Sequence, residues 1–517
     1  MAARLVVVGG GIAGLVGAAI LARSGADVTL LERAERLGGK VRQAMLGGRA
    51  VDAGPTVLTM PWTLDAAFEE AGGSFRGDLR MRELATLGRH VWPGGATLDL
   101  FADVERSVDA VGTFAGAREA RAYRAFCAQG RRIFEAVHEP VLEGQRPELA
   151  SLVSEARRLG LSGLRALGAH RTLWSALGDS FRDPRLVQLF ARYATYCGSS
   201  ALLAPATLQV IAHVEQRGVW SLDGGMYALV EALALLAARA GVRLRTSAHV
   251  AEVLVRGGRV AGVRLADGEV LPAATVLHAG DVAALSSGAR GTAARAAVSA
   301  PAERSLSART VAMVARARGA ELLRHGVLLR RLRGGDAQPL RARRRVPGSD
   351  DLRLRAGPWR RRRPAGRAGG RRQASRVGEE RFLIICNAPA DGDRRAPVPD
   401  EVERWRGMTL ETLATRDLVL SASSSEVTTQ ADFARRFPAT GGALYGAATH
   451  GALSMLRRPG SRSRLPGLYL AGGSVHPGAG VPMAAQSGRL AAQAICADLG
   501  STARSSRVAM PGGTSTA

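Results

Sequence analysis

The sequence is short of aromatic residues, 4% of its 517 positions, and it holds one lysine, Lys40, among 71 basic side chains. Scarce aromatics rule out a core built mainly on rings, so Ala, Leu and Val must fill the interior. Its four cysteines, Cys127, Cys197, Cys386 and Cys496, are scattered without a CxxC pair. That spacing indicates neither a zinc site nor a disulfide framework, and it fits a reducing compartment. Beyond the run Leu5 to Ala22 no apolar stretch approaches membrane-spanning length. The length suffices for two domains, each with its own core.

A net charge of +26 would ordinarily point to nucleic acid or an anionic membrane. Its distribution argues against nucleic acid. Residues 325–376 alone hold 17 arginines against Asp336, Asp350 and Asp351, and the near absence of lysine indicates a gene of high GC content. Much of the basicity is therefore coding bias.

What is present begins at residue 5. Leu5 to Val8 reads as a buried strand, Gly9-Gly10-Gly11-Ile12-Ala13-Gly14 as a turn opening a helix that ends at Ser24-Gly25, and Val28 to Leu31 as a second strand ending on Glu32. This order is a dinucleotide-binding fingerprint. Gly9 permits the tight turn, Gly11 lets backbone approach a pyrophosphate, and Gly14 lets helix pack closely on strand. The helix N-terminus favours the phosphates, and Glu32 is placed to accept from ribose hydroxyls, disfavouring a 2′-phosphate. A signal peptide or anchor is the competing reading of the same run. Consecutive glycines in a spanning helix and the lack of a cleavage site speak against it.

Further on, Gly38-Gly39-Lys40 offers another close backbone approach with a charge to balance phosphate, and Gly54-Pro55-Thr56 a rigid turn near a bound cofactor. From about Leu64 to Arg217 the pattern reads as helical. Tyr123, Phe126, Phe134 and Val137 form a core face, and 152–181 reads either as a basic amphipathic helix for a membrane interface or as a solvated helix. Helix Met226 to Ala240 stops at Gly241. Strands follow at Val242 to Thr246, His249 to Arg256 and Arg259 to Leu265, the last two joined by Gly257-Gly258. Glu269 to His278 re-enters the nucleotide domain, Thr310 to Ala315 and Phe382 to Asn387 are further strands, and Leu468 to Leu470 leads through Gly472-Gly473 into a helix from Ala484 to Leu499.

Two glycine-rich junctions at opposite ends of the chain suggest a cofactor longer than NAD. On the motifs VVVGGGIAGL with Glu32, GGK followed by DAGPTVLTM, SFRDPRL, GVWSLDGGMYALVEAL, GVRLADGEVLPA and LYLAGGSVHPGAGVPMAAQSGRLAA, the chain resembles the phytoene desaturase family of FAD-dependent carotenoid desaturases. The wording at Asp223 to Met226 and Gly473 to His476 is most similar to the hydroxyneurosporene desaturases of phototrophic bacteria. Lys40 stands where relatives commonly carry arginine, which keeps the charge without the fork.

The resemblance implies an α/β fold: a Rossmann-type FAD-binding domain of the amine-oxidase and GDI-like flavoprotein kind, with an interleaved α+β substrate domain. The expected division is 1–75, 215–290 and 440–500 for FAD, 76–214 and 291–439 for substrate and membrane, and a disordered tail over 501–517. It implies FAD held by Gly9, Gly11, Gly14 and Glu32, with Gly39, Lys40, Gly54, Pro55 and Thr56 along the flavin side. Gly472, Gly473, His476, Val481 and Met483 would lie at the pyrimidine end, where helix N–H groups stabilise the reduced anion. His476 also has a plainer reading as a structural histidine before Pro477. The implied reaction moves a hydride to the flavin and a proton away from adjacent allylic carbons of a lipid-dissolved C40 carotenoid. It implies 3,4-desaturation on the spheroidene or spirilloxanthin route, no protein acid or base and no metal, and a quinone or oxygen as final acceptor. The expected location is cytoplasmic, peripheral on the inner or photosynthetic membrane. Runners-up are phytoene desaturation, another amine-oxidase-fold flavoenzyme, a prenyl-binding carrier and a nucleic-acid binder.

The resemblance lapses around His325 and resumes at Glu380. Between these points runs such as Arg360 to Arg363 are what GC-rich DNA yields when read out of register, a basic disordered loop being the competing reading, so 325–376 is expected to contribute neither strand pairing nor core.

Overall fold

The computed structural model describes residues 3–147, 168, 170–329, 352–357, 378–452 and 454–508. Strand β1 (Arg4–Val8) is buried from Leu5 onward because parallel neighbours flank it on both sides, β2 (Asp27–Leu31) and Thr275–His278. Leu468–Leu470 and Arg243–Arg245 complete a five-stranded parallel sheet at its two edges. Such strands are apolar on both faces because both are covered. Helix α1 (Ile12–Arg23) is buried from Ile12 through Leu21. It packs against Tyr227–Arg239 and against the last helix, Val481–Val508. Glycine sets that spacing: a Cβ on Gly488 would stand 2.3 Å from the carbonyl oxygen of Ala13.

The second sheet has seven strands. Ser307–Gly319 lies antiparallel between Glu380–Ala388 and Leu418–Thr428, with Thr310 opposite Ile385 and Met313 opposite Phe382, so the two predicted strands do pair. Val250–Arg256 and Arg259–Leu265 form the predicted hairpin, with Gly257 and Gly258 at φ +55° and +72°.

Three expectations fail. The stretch 64–217 is not all helix, since it contains Met81–Glu83 and the hairpin Thr86–Val91 and Thr97–Phe101. The hairpin turns at Gly94 and Gly95, both with positive φ, and its charged residue Arg89 is paired across the strands by Asp99 at 2.8 Å. Nor is 325–376 free of pairing. His325–Leu328 runs parallel to Thr86–Val91, and Leu352–Gly357 joins it to Glu380–Ala388. Val327 and Leu329 are fully buried with Leu87, Leu98 and Leu100. The rest of that block, and residues 152–167 of the basic segment, lie outside the described residues. Lastly, the final helix runs to Val508, past the expected tail boundary at 501.

The helix Ala117–Val137 buries Tyr123, Phe126 and Phe134 as its spacing predicts, while Val137 is half-buried. Beside it runs a polar network whose Arg192, His90 and Tyr193 are buried and whose Tyr196 and Glu215 are half-buried. Arg192 is bonded to Tyr196 Oη, its Nη2 lies 3.2 Å from His90 Nε2, and Glu215 accepts from Tyr193 Oη at 2.7 Å and Tyr196 Oη at 3.1 Å.

His278, closing its strand in the nucleotide sheet, is 1% exposed, and burial, helped by Arg290, pushes its pKa down to about 4. The folded state thus keeps it neutral, whereas the unfolded chain takes up a proton below about 6.5. Stability is therefore expected to fall as pH drops from 6.5 toward 4, by about 3 kcal/mol from this group. Urea titrations of His278→Asn should show a shallower loss across that window; an unchanged slope would exclude His278 as its source.

Candidate functional site

The cleft is assembled where the β1–α1 turn meets three other backbone segments. Gly9 has φ +111°, and a Cβ on it would stand 3.2 Å from Ala279 C and 3.3 Å from Gly280 N. At Gly14 a Cβ would fall 1.9 Å from the Gly9 oxygen, so helix and turn touch only because residue 14 is glycine. Gly11, the residue before α1, has nothing within 4 Å of such a Cβ. The space in front of that helix N-terminus is open. Gly38 N donates to Gly10 O at 2.8 Å, and Gly39, at φ +58°, would place a Cβ 3.3 Å from Gly11 Cα.

Glu32 is 8% exposed. Its Oε2 accepts from Gly10 N and its Oε1 from Ala34 N, each at 2.8 Å, which fixes the carboxylate across the turn with acceptor capacity left on each oxygen. Beside it opens a cavity of ≈ 510 Å³ lined by Glu32, Ala34, Arg36, Gly39, Arg42, Tyr227, Arg435 and Phe437 among others. Arg36 lies 4.6 Å from the centre of the Tyr227 ring, and Tyr227 Oη donates to Leu37 O at 3.0 Å.

Lys40 is 36% exposed at its side chain, yet its ammonium sits deep in the cleft. Nζ donates to Leu444 O at 2.6 Å and lies 4.0 Å from Asp281 Oδ2. Burial holds its pKa below the usual lysine range, with Asp281 opposing the shift. Gly54 is pressed against Lys40, its Cβ position being 2.2 Å from the Lys40 oxygen. Pro55 is half-buried and Thr56 is buried, its carbonyl facing Arg324 Nη2 at 3.5 Å. Asp52, just before this turn, accepts from Met226 N at 2.9 Å and so holds the start of Tyr227–Arg239; burial raises its pKa.

From the other end of the chain, Gly472 has φ +118° and donates to Ser487 Oγ at 3.0 Å. Gly473 O accepts from Arg458 Nη1 at 2.8 Å. Val481 opens the last helix, and Met483 packs beside Met60, Phe134 and Leu142. His476 is 2% exposed, its Nε2 3.2 Å from Gly144 O, and burial lowers its pKa, so it is a neutral ring fastening this loop to residue 144.

Thus the predicted residues from 9 to 56 and from 472 to 483 converge, although hundreds of positions separate them. Two residues of the cleft were missed. Arg458, 5% exposed, donates to the carbonyls of Tyr445 at 3.0 Å, Ala447 at 3.2 Å and Gly473 at 2.8 Å, and burial lowers its pKa. Its partners are backbone, so no side-chain pattern announces it. Asp281 did carry a signal, standing after the small residues Ala279-Gly280 that end a nucleotide-sheet strand. Among the described residues no group of His, Cys, Asp and Glu could hold a metal, and no helix is long and apolar enough to cross a membrane.

The donor set fits a dinucleotide: an open helix N-terminus at Gly11, a braced carboxylate with spare acceptors, and a cavity beside it. The description "Flavin containing amine oxidoreductase" belongs to the family model that matches residues 12–496. The chain is 46% identical to a hydroxyneurosporene desaturase of Rubrivivax gelatinosus, covering 99% of this chain and 97% of that one. It is 43% identical to the hydroxyneurosporene desaturase of Cereibacter sphaeroides, covering 97% and 99%. Among solved structures, a triple mutant of putrescine oxidase redesigned in cofactor binding superposes with a TM-score of 0.60 at 13% identity, over 96% of this chain and 100% of that one.

Proposed function

This chain belongs to the flavin-containing amine oxidoreductase family, and on that premise we propose that it desaturates an acyclic carotenoid, introducing the 3,4 double bond into 1-hydroxyneurosporene-type substrates. Its cofactor is FAD. When bound, FAD would supply the acceptor for the hydride that leaves one of two adjacent allylic carbons, the other hydrogen leaving as a proton.

In this reading Gly9, Gly11 and Gly14 present backbone and the α1 N-terminus to the pyrophosphate. Glu32 receives the ribose hydroxyls, Lys40 offsets negative charge, and Gly39, Gly54, Pro55 and Thr56 line the ring's approach. Gly472 and Gly473 turn the chain so that Val481 and Met483, at the start of the last helix, meet the pyrimidine end, where helix N–H groups favour added negative charge. His476 holds that loop rather than the substrate. The apolar cluster of Met60, Phe134, Leu142 and Met483, with Trp62 against it, adjoins this end and excludes water from a hydrocarbon. No residue is assigned as acid or base. The chain divides into FAD segments 1–75, 215–290 and 440–500 and substrate segments 76–214 and 291–439; the five-stranded sheet drawn wholly from the former and the seven-stranded sheet drawn wholly from the latter support this partition, although Met81–Glu83 pairs with Trp220–Leu222 across it.

The observation that carries the reading is the meeting of both glycine junctions beside an apolar cluster. The substrate is dissolved in lipid, so the protein works at a membrane surface on its cytoplasmic side and passes electrons to a quinone or oxygen. FAD-loaded protein on liposomes should convert 1-hydroxyneurosporene to a product with a longer-wavelength polyene band and act poorly on phytoene. No product from any acyclic carotenoid would refute the assignment, and equal rates without lipid would remove the membrane.

Glu32→Ala is expected to weaken FAD binding by about 1 to 3 kcal/mol, since ribose acceptors go and the N–H groups of Gly10 and Ala34 lose theirs. Flavin retention through extensive dialysis measures it; undiminished retention would remove Glu32 from the site.

A further inference from the structure

Asp281 has a buried carboxylate with one oxygen unused. Its side chain is 7% exposed, Oδ1 accepts from Ala283 N at 3.1 Å, and Oδ2 has no hydrogen-bond partner. The nearest cation, Lys40 Nζ, is 4.0 Å from Oδ2, which balances charge but lies beyond hydrogen-bond reach. A buried carboxylate oxygen is costly unless something donates to it.

Its place in the fold says what donates. The Ala279-Gly280 backbone just before Asp281 lies against Gly9 on one side, within 3.2 Å of its Cβ position. On the other it meets Gly472, whose Cβ position is 3.5 Å from Ala279 O. Ser474 Oγ, from the same C-terminal loop, accepts from Val282 N at 3.1 Å. Asp281 therefore stands between the turn assigned to the pyrophosphate and the loop assigned to the flavin ring. The part of FAD that joins those two groups is the ribityl chain, a run of hydroxyl donors.

We propose that Asp281 Oδ2 is the acceptor for a ribityl hydroxyl of FAD, with Lys40 offsetting its charge, so that the cofactor is gripped at its middle as well as at its ends. This rests on the placement of the pyrophosphate and ring given above. Gly472-Gly473 has no side chain to offer at the neighbouring junction, which leaves Asp281 as the acidic group there.

The test titrates full-length protein stripped of flavin, wild type and Asp281→Asn, with FAD, with ADP, and with FAD analogues each lacking one ribityl hydroxyl. Asp281→Asn should bind FAD about tenfold more weakly and ADP unchanged. One deoxy analogue should bind wild type about tenfold more weakly than FAD does, yet bind the variant no more weakly than FAD. Equal losses for FAD and ADP in the variant would overturn the proposal in favour of a structural role for Asp281. So would wild-type protein that binds every deoxy analogue as it binds FAD, a result that needs no variant to fold. If ADP failed to compete with FAD on wild type, the placement of the adenosine end would fall and the proposal with it, which separates that failure from one confined to Asp281.

Discussion

Replacing Gly14 by alanine is expected to strip the protein of flavin and to destabilise it at once. The new methyl would stand 1.9 Å from the Gly9 oxygen and 3.1 Å from the Gly9 carbonyl carbon, and no side-chain rotation moves a backbone oxygen. Either α1 lifts off the turn or the turn opens, and both displace the N–H groups aimed at the pyrophosphate. Overpacking of this kind costs about 1 to 3 kcal/mol, and a backbone contact belongs at the upper end. FAD affinity should fall by on the order of a hundredfold. Gly11→Ala is the informative control. Its methyl meets no protein atom within 4 Å, so the melting temperature without cofactor should hold while FAD binding still drops, because the methyl fills the open space before the helix. If Gly14→Ala retained full flavin absorbance, the close contact of turn and helix would not be what forms the site.

The second large effect is expected at Arg192, far from the glycine turns. Burial works against its charge, but Tyr196, Glu215 and Tyr193 outweigh it, and its pKa stays above the usual arginine value. Arg192→Ala would leave Glu215 and its two tyrosines without a cation in a core that includes Tyr193, 2% exposed, and Phe190, fully buried. Removing one member of a buried charged network typically costs about 3 to 5 kcal/mol. Urea unfolding should move by that amount, whereas the double replacement Arg192→Met with Glu215→Gln should recover much of it, since the uncompensated charge is then gone. A single variant as stable as wild type would mean that solvent reaches this network.

The nucleotide sheet was legible because its signals are local. An apolar run, glycines at fixed offsets and an acid at the strand end each follow from contacts within the first 34 residues, as the bonds from Gly10 and Ala34 to Glu32 bear out. The hairpin at Thr86–Phe101 was not, because Arg89 and His90 read as exposed until Asp99 and the Leu98 carbonyl are placed opposite them. Composition misled at His325–Leu328 for a related reason. Strand pairing uses backbone groups that every residue but proline carries, and Val327 needed only one apolar neighbour surface to be buried. Arg458 lay beyond sequence reasoning altogether, since its three acceptors are carbonyls brought together by the finished fold.

The sheet order has a consequence for how the protein is made. An inner strand of the nucleotide sheet, Thr275–His278, stays open on one side until Leu468–Leu470 arrives, and α1 lacks one of its packing partners until Val481–Val508 follows. A chain emerging from the ribosome thus displays the N-terminal half of the site early but cannot close it until residues 468–508 have been made. The interval is one in which an apolar helix and an unpaired strand are exposed together. Cofactor capture is therefore expected to wait for these C-terminal elements. Chains truncated before residue 468 should accumulate as aggregates rather than as weakly binding enzyme, and flavin supply in the cell should govern the yield of folded protein as much as its activity.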